Sequence, residues 1–339
     1  MSRLGAHILD WFGFGSRDHA VHGDDHGSGP HRHGVIDATI ATTVRGIWAI
    51  KWSFVILATT AAMQMVVVVL SGSVALLADT IHNIGDATTA IPLWIAFMLA
   101  RRKPSRTFTY GLGRVEDLAG IIIVGIILFS AIVAGYQAID RLINPRMVTH
   151  LGWLAAAGVV GFLGNEAVAV FRIRVGREIN SAALIADGYH ARTDGLTSLA
   201  VVVGAFGVWL GFPLADPIVG LLITLAIFGI VWQSARSVLT RMLDGVEPDV
   251  IGEIHHAAAH VPGARIVDVK ARWIGHRLHA DIAVAVEESL PVSEAKKITA
   301  ALEDELFGHM PALAAANIRL ASADADHAHE HAHGERDRH

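Results

Sequence analysis

Six long apolar stretches dominate the hydrophobic pattern of the chain. Each reaches about 20 residues or more, the length at which an α-helix crosses the hydrocarbon core of a bilayer. A large soluble helical core is the alternative, but its helices would carry amphipathic stripes, whereas these segments are apolar on most sides. We therefore predict an α-helical membrane protein with six transmembrane helices, at about residues 47–70, 73–100, 117–140, 149–171, 181–210 and 214–236.

The pattern changes after the sixth stretch to that of a small α+β domain. Pro248 suits a helix start, and a helix is expected from there to His260. Alternating apolar positions predict strands near 265–273 and 278–286, and a second helix and a short strand are expected at 293–306 and 318–320. This order of elements is typical of a compact α+β sandwich.

Polar, His-rich segments form both ends of the chain, and their composition cannot bury a core. Histidines such as His19, His22, His26, His31 and His33 could bind metal weakly, with a solvated tail as the equal alternative. The predicted organisation is a tail at 1–46, the transmembrane domain at 47–240, the α+β domain at 241–322 and a second tail at 323–339.

Composition agrees with a membrane protein. Hydrophobic residues make up 53% of the 339 residues and charged residues only 17%, against about 25% charged residues in soluble domains. There is no cysteine, so a metal site must use nitrogen and oxygen ligands. The formal net charge of −5 gives no basis for nucleic-acid binding.

The distribution of Lys and Arg predicts the orientation. Lys and Arg concentrate before span one, between spans two and three, between spans four and five and after span six, whereas the opposite connections carry only Arg141 and Arg146. Both termini are therefore expected in the cytoplasm. The first apolar stretch follows a long polar segment, unlike a secretory signal, so it is expected to remain as a membrane helix.

One twelve-residue phrase occurs twice within the apolar stretches. Its first copy runs from Ala75 to Asp86 and its second from Ala183 to Asp194, and the shared polar residues are Asp79, His82 and Asp86 in one and Asp187, His190 and Asp194 in the other. Polar side chains inside a membrane are costly. A single His or Asp could serve as a hydrogen-bonding contact between helices, but a repeat in register predicts a functional site.

The spacing within each copy favours a metal site. Residues four apart share a helix face, so His82 lies beside Asp86 and His190 beside Asp194. Together they would offer two imidazole nitrogens and two carboxylate oxygens, a tetrahedral set suited to Zn²⁺. The two carboxylates would balance a divalent cation, and imidazoles that titrate near pH 6.5 in water could exchange it for protons. Asp79 and Asp187 are candidates for orienting the imidazoles, with helix packing or capping as the equal alternative.

These motifs resemble those of the cation diffusion facilitator family of divalent metal/proton antiporters. In that family, paired (His or Asp)-x-x-x-Asp motifs on the second and fifth of six helices form the transport site. The further matches are Phe108-x-Tyr110-Gly111-x-x-Arg114-x-Glu116, Asp216-Pro217 and Ser289-Leu290-Pro291. The resemblance implies a homodimer, a cytoplasmic ferredoxin-like C-terminal domain, metal export from the cytoplasm, and alternating access by helix rocking.

Two further sets of residues bear on the metal chemistry. His276, His279 and Asp281 could form a second metal site, although surface polar residues are the favoured explanation. Arg192, inside the second motif, would repel a cation unless it pairs with an acid such as Glu116 or Asp117, or faces cytoplasmic water.

The leading hypothesis for function is a Zn²⁺/H⁺ antiporter of the cell (inner) membrane, surrounded by lipid and not an enzyme. Co²⁺, Ni²⁺, Fe²⁺ or Mn²⁺ are alternative cargoes. A membrane metalloenzyme is less favoured because four ligands would fill the coordination shell. A metal sensor without transport is the third hypothesis.

Overall fold

The computed structural model describes residues 35–71, 90–144, 151–212, 214–287 and 289–321. The chain divides into two compact units with a boundary between Leu239 and Thr240, and residues 35–39 are grouped with the second unit. This boundary lies next to the predicted end of the transmembrane domain at residue 240. Each unit is described by itself below.

The first unit is helical. Its described helices are α1 (Val35–Ser71), α2 (Ala90–Ala100), α3 (Arg114–Ile143), α4 (Leu151–Glu178), α5 (Ala182–Trp209) and α6 (Ala215–Met242). Four of them contain segments long and apolar enough to cross a membrane: Thr42–Val67, Arg114–Ile143, Gly152–Glu178 and Ala215–Met242. Helix α5 has a similar length but carries the polar residues of the second motif. Most of predicted span two, which precedes α2, lies outside the described residues.

Two of the helices are longer than the predicted spans. Helix α1 begins at Val35, within the segment predicted as a polar tail, and α4 continues beyond residue 171 to Glu178. The hydroxyl of Ser181 accepts a hydrogen bond from the Leu184 amide at 3.1 Å and so caps α5. A short turn, with Asn180 at a φ of 58°, therefore joins α4 to α5.

Much of the apolar surface of the first unit faces outward. Only 28% to 33% of the apolar windows of the four spans is buried within the protein. Large side chains such as Phe129, Leu225 and Trp232 are exposed, whereas many core positions between the helices are alanines. Small residues allow helices to approach closely, and outward apolar side chains suit a lipid environment.

The second unit has the predicted order of elements. Helix α7 (Pro248–Ala259) is followed by β1 (Arg265–Ile274), β2 (Arg277–Ala285), α8 (Val292–His309) and β3 (Leu313–Ala321). The sheet order is β1-β2-β3, with β1 antiparallel and β3 parallel to β2. Strand β3 begins five residues before the predicted position 318, because its Ala-rich start, which has weak strand propensity, pairs with β2.

One apolar core holds the second unit together. The helices contribute Ile254, Leu302 and Leu306, and these pack against strand residues such as Leu278 and Ile282. At the edge of this core, the Glu247 carboxylate accepts hydrogen bonds from Trp273 Nε1 and Arg241 Nη2, both at 3.1 Å. The Arg241 guanidinium lies 4.4 Å from the centre of the Trp273 ring. Arg241, which follows the predicted end of span six at residue 236, is buried.

Helices α4 and α5 pack with their backbones in close contact. A methyl group at Gly188 would lie 2.7 Å from Ile173 Cγ1 and 3.0 Å from the Ile173 amide nitrogen. Backbone atoms cannot move aside as a flexible side chain can. Gly188 therefore fixes how near α5 lies to α4.

We predict that Gly188→Leu lowers the thermal unfolding midpoint of the detergent-solubilised protein, since overpacking costs about 1–3 kcal/mol or more. Gly125→Leu is the matched control, because nothing lies within 4 Å of a methyl group at Gly125 on α3. Equal midpoints for the two variants would contradict close packing at Gly188.

Candidate metal centre

The second copy of the repeated motif lies on α5, and its His and Asp share one face. His190 Nδ1 is 3.8 Å from Asp194 Oδ2, at the predicted i, i+4 spacing. His190 is buried, with 1% of its side chain exposed, whereas 12% of Asp194 is exposed. A buried imidazole beside a partly accessible carboxylate can offer one nitrogen and one oxygen ligand to a cation that arrives at the helix surface.

Two threonines bond to the backbone of these residues. Thr193 Oγ1 donates to the His190 carbonyl oxygen at 2.6 Å, and Thr197 Oγ1 donates to the Asp194 carbonyl oxygen at 2.8 Å. Each hydroxyl lies three residues after the ligand candidate that it contacts. The hydrogen-bonding capacity of both hydroxyl protons is thus used within α5.

The first copy of the motif lies outside the described residues. His82, Asp86 and the supporting candidate Asp79 all fall within 72–89. The joining of the two copies into one four-ligand site therefore stays a prediction.

Asp187 forms an ion pair between α5 and α4. Its Oδ2 lies 3.0 Å from Arg172 Nη1, and the two side chains are 0% and 2% exposed. Arg172 is one of the arginines that follow the predicted end of span four at residue 171, but it lies within α4, which continues to Glu178. The contact favours the packing alternative for Asp187, and an orienting role toward His190 stays a prediction.

Arg192 pairs with an acid, as predicted, but the acid is Glu166 on α4. Arg192 Nη2 donates to Glu166 Oε1 at 2.7 Å, and Arg192 Nε donates to Oε2 at 3.1 Å. This bidentate contact neutralises the charge of the Arg192 guanidinium beside the motif. Glu166 was missed, although a carboxylate inside predicted span four was itself a signal of a functional or structural role.

The two ion pairs lie on either side of His190 along α5. Asp187 precedes His190 and pairs with Arg172, whereas Arg192 follows it and pairs with Glu166. Both partners come from α4, so the pairs fix the register of the antiparallel helices. Both arginine charges near the site are therefore matched by other carboxylates.

The weaker candidates lie in the second unit and do not form a ligand set. His276 is buried in the turn between β1 and β2, so the surface explanation is wrong for it. His279 lies on β2, and the Asp281 carboxylate accepts a hydrogen bond from Asn317 Nδ2 at 3.1 Å. Among the described residues, the group of three or more potential ligands that lie at metal-binding distance is a different one, on α7 and α8.

Two family models match the chain in adjacent segments. Residues 50–243 match the cation efflux transmembrane domain, and residues 246–320 match the cytoplasmic domain of cation efflux proteins. The chain belongs to the cation diffusion facilitator family. It is thus a cation efflux transporter and a multi-pass membrane protein with a C-terminal α+β domain, and among the described residues four of the predicted spans are helices long and apolar enough to cross a membrane.

Individual relatives agree with this assignment. A probable cation efflux system protein of Mycobacterium tuberculosis is 55% identical over 293 residues, covering 85% of this chain and 88% of the relative. An uncharacterized transporter of Methanocaldococcus jannaschii is 27% identical, covering 69% and 83%. The magnetosome protein MamB of a Magnetospira species is 26% identical, covering 77% and 88%. The resemblance of this cation diffusion facilitator to its relatives therefore includes both units.

We predict that Asp187→Leu alone destabilises the transporter by about 3–5 kcal/mol, because it leaves the Arg172 charge buried without its counter-ion. The double variant Arg172→Met/Asp187→Leu should recover most of this loss, since hydrophobic replacement of a whole buried pair is often nearly neutral. Thermal unfolding in detergent measures both effects.

Metal flux separates the two roles of Asp187. If Asp187 only stabilises the packing of α5 against α4, the Arg172→Met/Asp187→Leu variant should still transport metal. A double variant that folds as wild type but transports nothing would contradict the packing role and favour the orienting one.

Proposed function

We propose that this protein exports Zn²⁺ from the cytoplasm in exchange for protons, using His82, Asp86, His190 and Asp194 as the transport site. The observation that carries the proposal is the His190–Asp194 pair, held on one face of a membrane helix at 3.8 Å. The same residues recur at the same spacing in the first copy of the motif. Two such faces would supply four nitrogen and oxygen ligands to the cargo.

The charge balance around α5 supports a cationic cargo. Arg172 and Arg192 are paired with Asp187 and Glu166, two carboxylates outside the proposed ligand set. Two site carboxylates would offset the two charges of a divalent cation. The loaded site would then be neutral, which avoids the cost of a net charge within the membrane.

Metal and protons would compete for the same ligand lone pairs, and this competition would couple metal export to proton import. A neutral imidazole and an ionised carboxylate bind metal, and each can take up a proton instead. Free imidazole titrates near pH 6.5, so exchange between metal and protons is accessible near neutral pH. Alternating exposure of the site to the two sides of the membrane would convert this competition into antiport.

Cargo identity rests on ligand chemistry. Zn²⁺ suits a tetrahedral His/Asp set, while Co²⁺, Ni²⁺, Fe²⁺ and Mn²⁺ accept the same ligands. Mg²⁺ and Ca²⁺ prefer all-oxygen sites and are disfavoured. Zn²⁺ is the proposed cargo, and the other transition metals are its direct competitors in the transport assay.

In the proposed topology the protein is a homodimer in the cell (inner) membrane. Both termini of each subunit lie in the cytoplasm. Arg172 and Arg241 are buried and no longer count as loop charges. The excess of Lys and Arg on the predicted cytoplasmic connections persists without them. Family membership supports the dimer.

We predict that a pH gradient drives Zn²⁺ uptake into proteoliposomes and that Asp86→Ala and Asp194→Ala each reduce this flux to background. Glu178→Gln is the control, because Glu178 is an exposed α4 carboxylate whose ion pair with Arg45 lies at the surface. Flux that persists in both Asp variants would overturn the site. Repeating the assay with each divalent metal decides the cargo.

Removal of the His-rich tails tests the sensor alternative. We predict that a protein lacking residues 1–34 and 323–339 retains Zn²⁺ flux, because the proposed ligands lie within the transmembrane domain. Loss of flux in this shortened but folded protein would show that the tails take part in transport.

A further inference from the structure

Three histidines of the second unit lie close together although they are distant in the sequence. His256 and His260 are on α7 and its C-cap, and His309 is in the last turn of α8. Each offers a ring nitrogen, and these nitrogens lie within 4.8 Å of one another. All three side chains are exposed. This cluster shares no residue with the proposed transport site or with His276, His279 and Asp281.

The apolar core of the second unit positions the cluster. On α7, Ile254, Ala257 and Ala258 face the core, while Leu302 and Leu306 do so on α8. His256 and His260 are four residues apart and therefore share the other side of α7. Because the core holds both helices, the fold brings the three rings near one another, with centroids 4.7, 5.3 and 6.1 Å apart.

Glu305 orients two of the rings. Its Oε1 is 3.1 Å from His260 Nδ1 and 3.5 Å from His309 Nδ1. The backbone carbonyl oxygen of Glu305 is also 3.1 Å from His309 Nδ1. An ionised carboxylate and a carbonyl only accept hydrogen bonds, so Nδ1 of each ring donates and the lone pair of the neutral ring lies on Nε2.

This arrangement is common around protein-bound transition metals. A ligating histidine usually donates its other ring N–H to a carboxylate or a backbone carbonyl, which fixes the ring and raises its basicity. Around a tetrahedral ion with metal–nitrogen bonds of about 2.0–2.1 Å, ligand atoms lie about 3.3 Å apart. One nitrogen of each ring already lies within 4.8 Å of the others, and rotation of the exposed side chains can bring the ligand atoms to the shorter spacing.

Charge also favours a cation here. Glu305 supplies a negative charge beside the rings. His256 and His309 lie in the last turns of their helices, where the helix dipole favours positive charge. Three imidazole nitrogens select a transition metal over Mg²⁺ or Ca²⁺, which take oxygen ligands.

We propose that His256, together with His260 and His309, the two rings that Glu305 orients, binds one divalent transition metal of the Zn²⁺, Co²⁺ and Ni²⁺ class, with water in the remaining coordination position. The bound ion would join α7 to α8 at the surface of the second unit. The site would be loaded from the solvent, since all three ligands are exposed.

Histidine labelling with diethylpyrocarbonate, located by peptide mass spectrometry, tests the site in the full chain. Zn²⁺ is titrated into the detergent-solubilised protein, without a polyhistidine tag. We expect Zn²⁺ to suppress labelling of His256, His260 and His309 with one shared midpoint. His255 is the internal control, because it is an exposed histidine on the same helix outside the cluster.

Variants show whether the three histidines act together. His309→Gln should abolish the protection of His256 and His260, and Glu305→Gln should raise the Zn²⁺ midpoint by about 10- to 100-fold. His255→Gln should leave the midpoint of the cluster unchanged. Labelling of the three residues that does not respond to Zn²⁺, or protection of His256 and His260 that survives His309→Gln, would overturn the site. Neither outcome bears on flux through the membrane, so the two proposals fail separately.

Discussion

Ionised side chains inside a bilayer need opposite charges within the protein, and the packing of α4 against α5 meets this requirement. Arg172 with Asp187 and Arg192 with Glu166 join the two helices on either side of His190. Because each charge has a counter-charge on the neighbouring helix, the membrane-buried part of α5 carries the motif without a net unpaired arginine. This pairing supports the proposed transport chemistry, because each of the two arginines near the site has a carboxylate partner outside the proposed ligand set.

Close helix packing and the ion pairs support one another. The close backbone contact at Gly188 brings α5 near enough to α4 for the paired side chains to meet. The ion pairs in turn fix the register of α5 along α4. A slide of one helical turn would separate both arginines from their partners and leave buried charges, which is far more costly than an apolar mismatch. The position of His190 relative to α4 is therefore fixed before any cargo binds.

The second unit handles its polar residues differently because its surroundings are aqueous. Its core is apolar, and the histidines of α7 and α8 lie at the surface, where water solvates them at little cost. Such histidines need no partner for stability. The histidines of α7 and α8 are therefore not placed by a need to compensate buried charge, in contrast to the ion-paired residues of the first unit.

Hydrophobic periodicity and motif spacing were enough to predict the helical membrane class, the αββαβ order of the C-terminal domain and the shared face of His190 and Asp194, because each depends on residues close together in the chain. The partners of Arg192 and Asp187 depended on which helix packs beside α5 and in which register. The spacing of residues along the chain does not indicate which helices pack together. Glu166 and Arg172 were therefore not predicted as the partners of Arg192 and Asp187. The same holds for His309, which reaches His256 only when α7 and α8 pack on one sheet. Local pattern thus determined the elements and the motif, whereas long-range packing decided which charges and imidazoles meet.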